Sequence, residues 1–457
     1  GSLAVESVAA FPWNGWQACR GISGNLAPEY AQFYTPSEVS RVIAQVIGIS
    51  PETAVASTTA YDPTCGSGSL LLKVAAEAGK HITLEGQEKD VTTAGLARMN
   101  MILHDFPTAN ILNGNTLANP KFKDGEQLRT YDYVVANPPF SDKGWSAGLT
   151  PEDDPWQRFA WGAPPAKQGD YAYLLHIVRS MKSSGKGAVI LPHGVLFRGH
   201  AEAVIRKQLV RSGYLKGIIG LPANLFYGTG IPACILVLDK ENARARKGIF
   251  MIDASKSFIK DGNKNRLREQ DIHRIVDTFK KQADVARYAR RVPFDEITDP
   301  KNDFNLNLPR YIDSSAPEDR HDLHAHMNGG IPERDIDGDP AAIPPVPGLA
   351  AYWQVFPDLR QRLFSPLPLA GEGPGVRAGY THLAVDPSAI KPTILEHDEF
   401  AAFRRRITAL FDDWRSRNRP VLKGFGVNGQ PKALITEIGE DLLETFRAAP
   451  LLDPYDI

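Results

Sequence analysis

Apolar runs of four to seven residues alternate with stretches of helical period along most of the first three hundred residues. Val39, Val42, Ile43, Val46 and Ile47 fall on one helical face, and Thr35-Pro36 ahead of them predicts a helix start with a capping hydroxyl and proline in the first turn. A short strand at Tyr61-Asp62 runs into a glycine-rich turn and a helix at Leu70–Ala78 closed by Gly79. Strands follow at Ile82–Glu88, Ile111–Leu112 and Tyr131–Val135, with a helix at Thr92–His104. Beyond these the pattern predicts a helix at Tyr171–Ser183, a strand at Gly187–Pro192, a helix at Val195–Gly213 and strands at Gly217–Pro222 and Ala233–Leu238. Strands that keep alternating with helices predict an α/β fold with a doubly wound, mainly parallel sheet.

From about Ser314 the pattern changes. Residues 328–348 are rich in Gly, Pro and Asp and read as a linker. Helical stretches follow at Leu349–Phe364, Glu396–Arg419 and Lys432–Arg447, so the C-terminal region is mostly helical. Ser365–Gly379 interrupts it with low-complexity sequence. The expected organisation is a lead-in at 1–31, an α/β domain at 32–312, a linker at 313–348 and a helical region at 349–457 carrying an insertion at 365–379.

Composition narrows the class. A chain of 457 residues with 52 Lys and Arg against 53 Asp and Glu has no global basic signature. A nucleic-acid role would therefore rest on a local groove or a basic partner. Lys256, Lys260, Lys264, Arg266 and Arg268 form one basic cluster, readable as a solvated loop or as a contact face. Three cysteines, Cys19, Cys65 and Cys234, are too few for a disulfide framework and fit a reducing, cytoplasmic setting. No run reaches the length of a membrane span, so no membrane partner is expected. His321, His324 and His326 lie close together, but no cysteine accompanies them, and no metal site is expected.

The candidate chemistry sits at strand ends. Asn137-Pro138-Pro139-Phe140 ends the run Tyr131–Val135 abruptly, because neither proline has an N–H for the ladder. An amide oxygen and a backbone carbonyl emerge there, each able to accept one hydrogen of a planar amino group, beside a ring able to stack on it. The plainer alternative is a Pro-Pro turn with a buried Phe. Asp62-Pro63-Thr64-Cys65-Gly66-Ser67-Gly68 is a strand–turn–helix junction without a phosphate-loop signature, and its acid suits a cationic ligand. Glu88 lies 22 residues after Gly66, where an acid grips ribose hydroxyls in a nucleoside-binding sheet; an exposed Glu is the alternative. Asn115 is placed to meet an adenine edge, or serves turn chemistry. The aromatic residues Phe33 and Tyr34 ahead of the first helix read either as a cover over a ligand or as a hydrophobic staple.

In this order, Phe33-Tyr34-Thr35-Pro36, Asp62–Gly68, Gln87-Glu88 and Asn137–Phe140 resemble the amino-methyltransferases of DNA, and more closely the modification (M) subunit of type I restriction–modification systems. The resemblance is close over about 32–312 and looser from 349. It implies an S-adenosylmethionine-dependent methyltransferase fold and methylation of adenine N6 in double-stranded DNA, the target base being flipped out. It further implies a specificity (S) subunit that reads the sequence and a restriction (R) subunit. Gln32, Phe33, Tyr34, Thr35, Pro36 and Ser37 would contact the cofactor; Asp62, Thr64, Gly66, Ser67 and Gly68 would cradle it; Glu88 would hold its ribose and Asn115 its adenine. Asn137, Pro138, Pro139 and Phe140 would take the target base. Relatives often have Asp where this chain has Asn115, and they carry an N-terminal helical domain that residues 1–31 would represent only as a remnant. A methyltransferase for protein glutamine or RNA, or a non-catalytic assembly subunit, is the alternative.

Overall fold

The computed structural model describes residues 35–315, 321–341, 348–368, 376–426, 429 and 431–457. The chain divides into two compact units, Gly1–Ser315 and Ala316–Ile457.

A nine-stranded sheet organises the first unit: β1 Thr59–Asp62, β2 Thr83–Glu88, β3 Asn110–Asn113, β4 Tyr131–Ala136, β5 Met181–Pro192, β6 Leu215–Gly220, β7 Ala233–Asp239, β8 Gly248–Asp253 and β9 Ala289–Pro293. Their spatial order is β3-β2-β1-β4-β5-β7-β6-β8-β9. Neighbours run parallel except β7, antiparallel to both β5 and β6, and β9, antiparallel to β8. The apolar runs are continuous because both faces are covered. Val134 and Val189 enter one core, while Val135 and Ile190 enter the other. The first core receives α4 Asp170–Arg179 and α5 His200–Arg211. The second receives α1 Ser37–Val46, α2 Ser69–Ala78, α3 Val91–Leu103 and α6 Glu269–Lys281. Arg41 of α1 clamps Glu269 of α6 with two hydrogen bonds, at 2.7 and 2.6 Å.

Several boundaries differ from the sequence reading, for local reasons. The helix expected over 195–213 begins only at His200; Val195 and Leu196 lie in a 3-10 turn, His193–Leu196, and Gly199 is the extended N-cap. The helix expected over 171–183 stops at Arg179, and β5 starts at Met181, paired with Tyr131, before an irregular polar stretch after which regular pairing resumes at Lys186. Thr35 does not cap α1: the N-cap is Pro36 and no side chain caps it.

In the second unit, the helix expected over 349–364 is broken at Phe356-Pro357 into Ala350–Val355 and Pro357–Leu363, proline taking the first helical position. Around the low-complexity stretch, Phe364–Pro368 and Val376–Leu383 pair as antiparallel strands, with Ile331–Pro332 beside them. The long helices α7 Asp398–Lys423 and α8 Pro431–Phe446 form a hairpin, in which Trp414 Nε1 donates to the Ile438 carbonyl at 3.3 Å. Among the described residues no helix is long and apolar enough to cross a membrane, and no group of three potential ligands is placed to hold a metal.

Candidate active site

Four of the proposed functional segments leave the sheet at one edge. Asp62 ends β1, Glu88 ends β2, Asn113 ends β3, and Asn137 follows β4. Chain order reverses between β1 and β4, which are parallel neighbours. Such a switch point opens a crevice above the carboxyl ends of the strands.

On the β1–β2 side the loop is tied together by its own groups. Cys65 N–H donates to the Gln87 carbonyl at 3.1 Å, and Gly68 N–H to the Cys65 carbonyl at 2.7 Å. Gly66 and Gly68 have φ of 53° and 78°, a left-handed backbone that favours glycine. A side chain at Gly68 would also meet Met101 Cε at 2.5 Å. Glu88 is buried, accepting from Gly66 N–H at 3.0 Å and Asp90 N–H at 2.9 Å. Asp62 is buried too and accepts from Thr64 N–H at 2.9 Å. Burial, with Glu88 nearby, pushes the Asp62 carboxyl up to about 8. Burial likewise raises the Glu88 carboxyl, against its backbone N–H donors. Two buried acids that favour protonation are suited to a cation, which would restore their charge. Thr64 Oγ1 is buried without a partner among the described residues, and the Ser67 carbonyl accepts from Asn100 of α3 at 3.0 Å.

Asn115 is turned by its own backbone. Its Oδ1 accepts from Leu117 N–H at 3.0 Å and Ala118 N–H at 3.3 Å, leaving only its Nδ2 for an adenine edge. Thr116 Oγ1 donates to the Pro63 carbonyl, joining this turn to the Asp62 loop.

On the β4 side the arrangement is open. Asn137 Nδ2 donates to Thr35 Oγ1 at 3.0 Å, so the hydroxyl expected to cap α1 orients this amide instead. Asn137 Oδ1 is buried and has no hydrogen-bond partner among the described residues. A buried acceptor left unpaired costs about 1–3 kcal/mol and calls for a reason. Pro138 is buried; Pro139 and Phe140 are half-buried. The turn beyond them is held by Asp170, whose Oδ1 accepts from Ser141 N–H at 2.7 Å while Arg198 pairs with its Oδ2 at 2.9 Å. Pro36 and Ser37 lie at the start of α1; Gln32, Phe33 and Tyr34 are outside the described residues.

Sequence reasoning missed one wall of this opening. Phe226, from the connection between β6 and β7, meets the Phe140 ring edge-on at 5.5 Å. The available signal was an aromatic pair, Phe226-Tyr227, following a strand that ends at the same edge. Of the basic cluster, Lys264 serves this wall, while Lys256, Lys260 and Arg266 are exposed. Lys264 Nζ donates to the carbonyls of Phe226 at 2.6 Å and Thr229 at 3.3 Å, Arg266 pairs with Asp261, Arg268 with Asp271, and Lys256 donates to the Ser314 carbonyl. His193, at the end of β5, donates its N–H to the Pro232 carbonyl at 3.1 Å and buries an unpartnered Nε2.

The fold is that of S-adenosylmethionine-dependent methyltransferases, shared with the type I restriction-modification system methyltransferase subunit from Streptococcus thermophilus at 37% identity and a TM-score of 0.55, over 62% of this chain and 59% of that one. The chain belongs to the N-6 DNA Methylase family, whose model matches residues 22–320. It is 34% identical to the type I restriction enzyme MpnII methylase subunit of Mycoplasma pneumoniae, over 68% of this chain and 58% of that protein. It is 36% identical to the MjaVII methylase subunit of Methanocaldococcus jannaschii, over 62% and 49%. The chain thus spans about half the length of the curated relatives it matches.

Proposed function

We propose that this chain is the modification subunit of a type I restriction–modification system and methylates N6 of an adenine in double-stranded DNA, working with a specificity subunit and a restriction subunit. The carrying observation is the buried Oδ1 of Asn137 at the crevice, unpartnered among the described residues. An acceptor kept dry and empty there matches a donor that arrives with the substrate.

An adenine amine inside a duplex is out of reach, so the base has to be extruded. Phe140 offers its ring to stack on the flipped base. Asn137 Oδ1 and the Pro138 carbonyl then accept the two amine hydrogens. That favours a pyramidal nitrogen whose lone pair is no longer spread into the ring, and the contacts strengthen as the nitrogen becomes positive. Thr35 keeps the amide from rotating away.

The donor set on the other side fits S-adenosylmethionine. Glu88 is placed for ribose hydroxyls, and Asp62, Thr64 and the Gly66–Gly68 turn for the charged amino-acid part. Pro36, Ser37 and Asn115 complete the pocket, with Gln32, Phe33 and Tyr34 before them. Bound there, the cofactor supplies a methyl group on a positively charged sulfur, so alignment matters more than a strong base. This reading keeps the M-type organisation, with 32–312 as the catalytic domain, 313–348 as a linker and 349–457 as a helical region for assembly.

The test is methyl transfer from labelled cofactor by the chain assembled with the specificity subunit of its own system. Transfer to adenine in DNA, lost in Asn137→Ala while cofactor binding persists, is the expected result. Transfer to RNA or to a protein amide instead of DNA would sink the proposal.

A further inference from the structure

The loop that follows Phe140 carries an arginine with no solvent exposure. Arg158 and its partner Asp154 have side chains 0% and 1% exposed. A guanidinium has five N–H donors, and all five are used here. Nε and Nη2 grip Asp154, at 3.1 and 2.7 Å. The second Nη2 hydrogen goes to the Leu117 carbonyl at 2.8 Å. Nη1 reaches the Thr116 carbonyl at 3.4 Å and His176 Nδ1 at 3.3 Å. Because arginine only donates, His176 Nδ1 accepts, and its Nε2–H is left for Tyr61 Oη at 3.3 Å. Burial and the neighbouring Arg158 charge keep His176 neutral. The rings of Trp156 and Phe159 lie 4.9 and 5.4 Å from the guanidinium carbon.

Two of the five acceptors belong to the turn that begins at Asn115. Leu117 gives its N–H to Asn115 Oδ1 and its carbonyl to Arg158. Thr116 gives its hydroxyl to Pro63 and its carbonyl to Arg158. The turn is therefore pinned from inside by its own asparagine, from the Asp62 loop, and from behind by the loop beyond Phe140. An ion pair this deep is poor value for stability alone, since apolar residues of similar volume fill such sites as well.

We propose that Arg158 is a positioning residue of the cofactor pocket, which fixes the Asn115–Leu117 turn and mechanically joins that turn to the loop over residues 141–168. The proposal rests on the cofactor reading above. The test compares the full chain with D154L/R158M, which replaces the whole pair by apolar residues, and with R158K, which keeps the charge but offers three donors in place of five. Affinity is read by calorimetry for S-adenosylmethionine and for 5′-methylthioadenosine, which lacks the amino-acid tail. Both variants are expected to melt cooperatively yet to bind both probes about tenfold more weakly, by similar factors. Amide exchange across 141–168 is expected to slow on cofactor addition in the parent chain and not in the variants. Unchanged affinity for both probes in either folded variant overturns the proposal. A parent chain that binds neither probe removes the cofactor reading itself, and is thereby told apart from failure of this one.

Discussion

The two sides of the crevice are built on opposite terms. On the β1–β2 side the acids and the amide already have partners, although the Thr64 hydroxyl has none among the described residues: Glu88 holds two N–H groups, Asp62 one and Asn115 two. On the β4 side, Asn137 is oriented through its nitrogen and empty at its oxygen. One half has its carboxylates and its amide oxygen engaged, and the other holds its amide oxygen empty. Mutations on the two sides should therefore separate binding of the cofactor from chemistry on the target.

The strongest way to break the comparison is Asn137→Ala. Loss of a single pre-organised transition-state contact costs about 100- to 1,000-fold in rate. Transfer should fall by at least that much in single-turnover assays, with the cofactor dissociation constant unchanged; a parallel loss of both would merge the two halves. Next is Glu88→Ala, which removes a charged acceptor from two N–H groups. At about 1.5–3 kcal/mol for such bonds, calorimetry should show cofactor affinity falling roughly 10- to 100-fold.

A third prediction follows from Asp62. With its carboxyl pushed up to about 8, the group is protonated and neutral below that pH in the free protein. A bound cation favours the carboxylate, so binding expels a proton, and affinity rises with pH, by up to about tenfold per unit, until about pH 8. Asp62→Asn should flatten the profile, and proton release measured in buffers of different ionisation enthalpy checks it. The same raised value makes the folded chain hold a proton that the unfolded chain gives up above about pH 4, so Asp62 withdraws stability as pH climbs from there to about 8. The smallest expected effect is that of Phe226→Leu. Losing an edge-on aromatic contact of about 0.5–1.5 kcal/mol should weaken target engagement roughly two- to tenfold and leave cofactor binding alone. A loss on the cofactor side would show that the wall belongs to both halves.

What the sequence made legible was local. The doubly wound sheet followed from continuous apolar runs alternating with helical ones, and Asn137–Phe140 announced a strand end because two prolines cannot pair. Glycines at 66 and 68 marked a turn that needs positive φ. What stayed hidden depends on partners far along the chain. Thr35 reads as a helix cap until Asn137, 102 residues away, takes its hydroxyl. Lys264 reads as surface charge until the carbonyls of Phe226 and Thr229 surround it. Arg158 reads as a loop residue, although Asp154 four positions earlier and Trp156 and Phe159 beside it were a usable hint. The strands β8 and β9 were missed altogether: β8 carries the apolar run Ile249–Ile252 that should have marked it, while β9, reading ARRVP, is a strand through its pairing with β8.

The antiparallel strand β7 has a consequence for how the chain is made. It occupies the place between β5 and β6, so those two strands never touch and each depends on a segment synthesised after both. While the chain emerges from the ribosome, everything up to β6 amounts to one ladder, β3-β2-β1-β4-β5, open along β5, and a lone β6 with no neighbour yet made. Only when residues 233–239 appear does one strand pair with both at once. Nascent chains halted before Asp239 are thus the vulnerable species: sticky, dependent on chaperones, and unable to seat the Phe226 connection against Phe140 however correct their first half is.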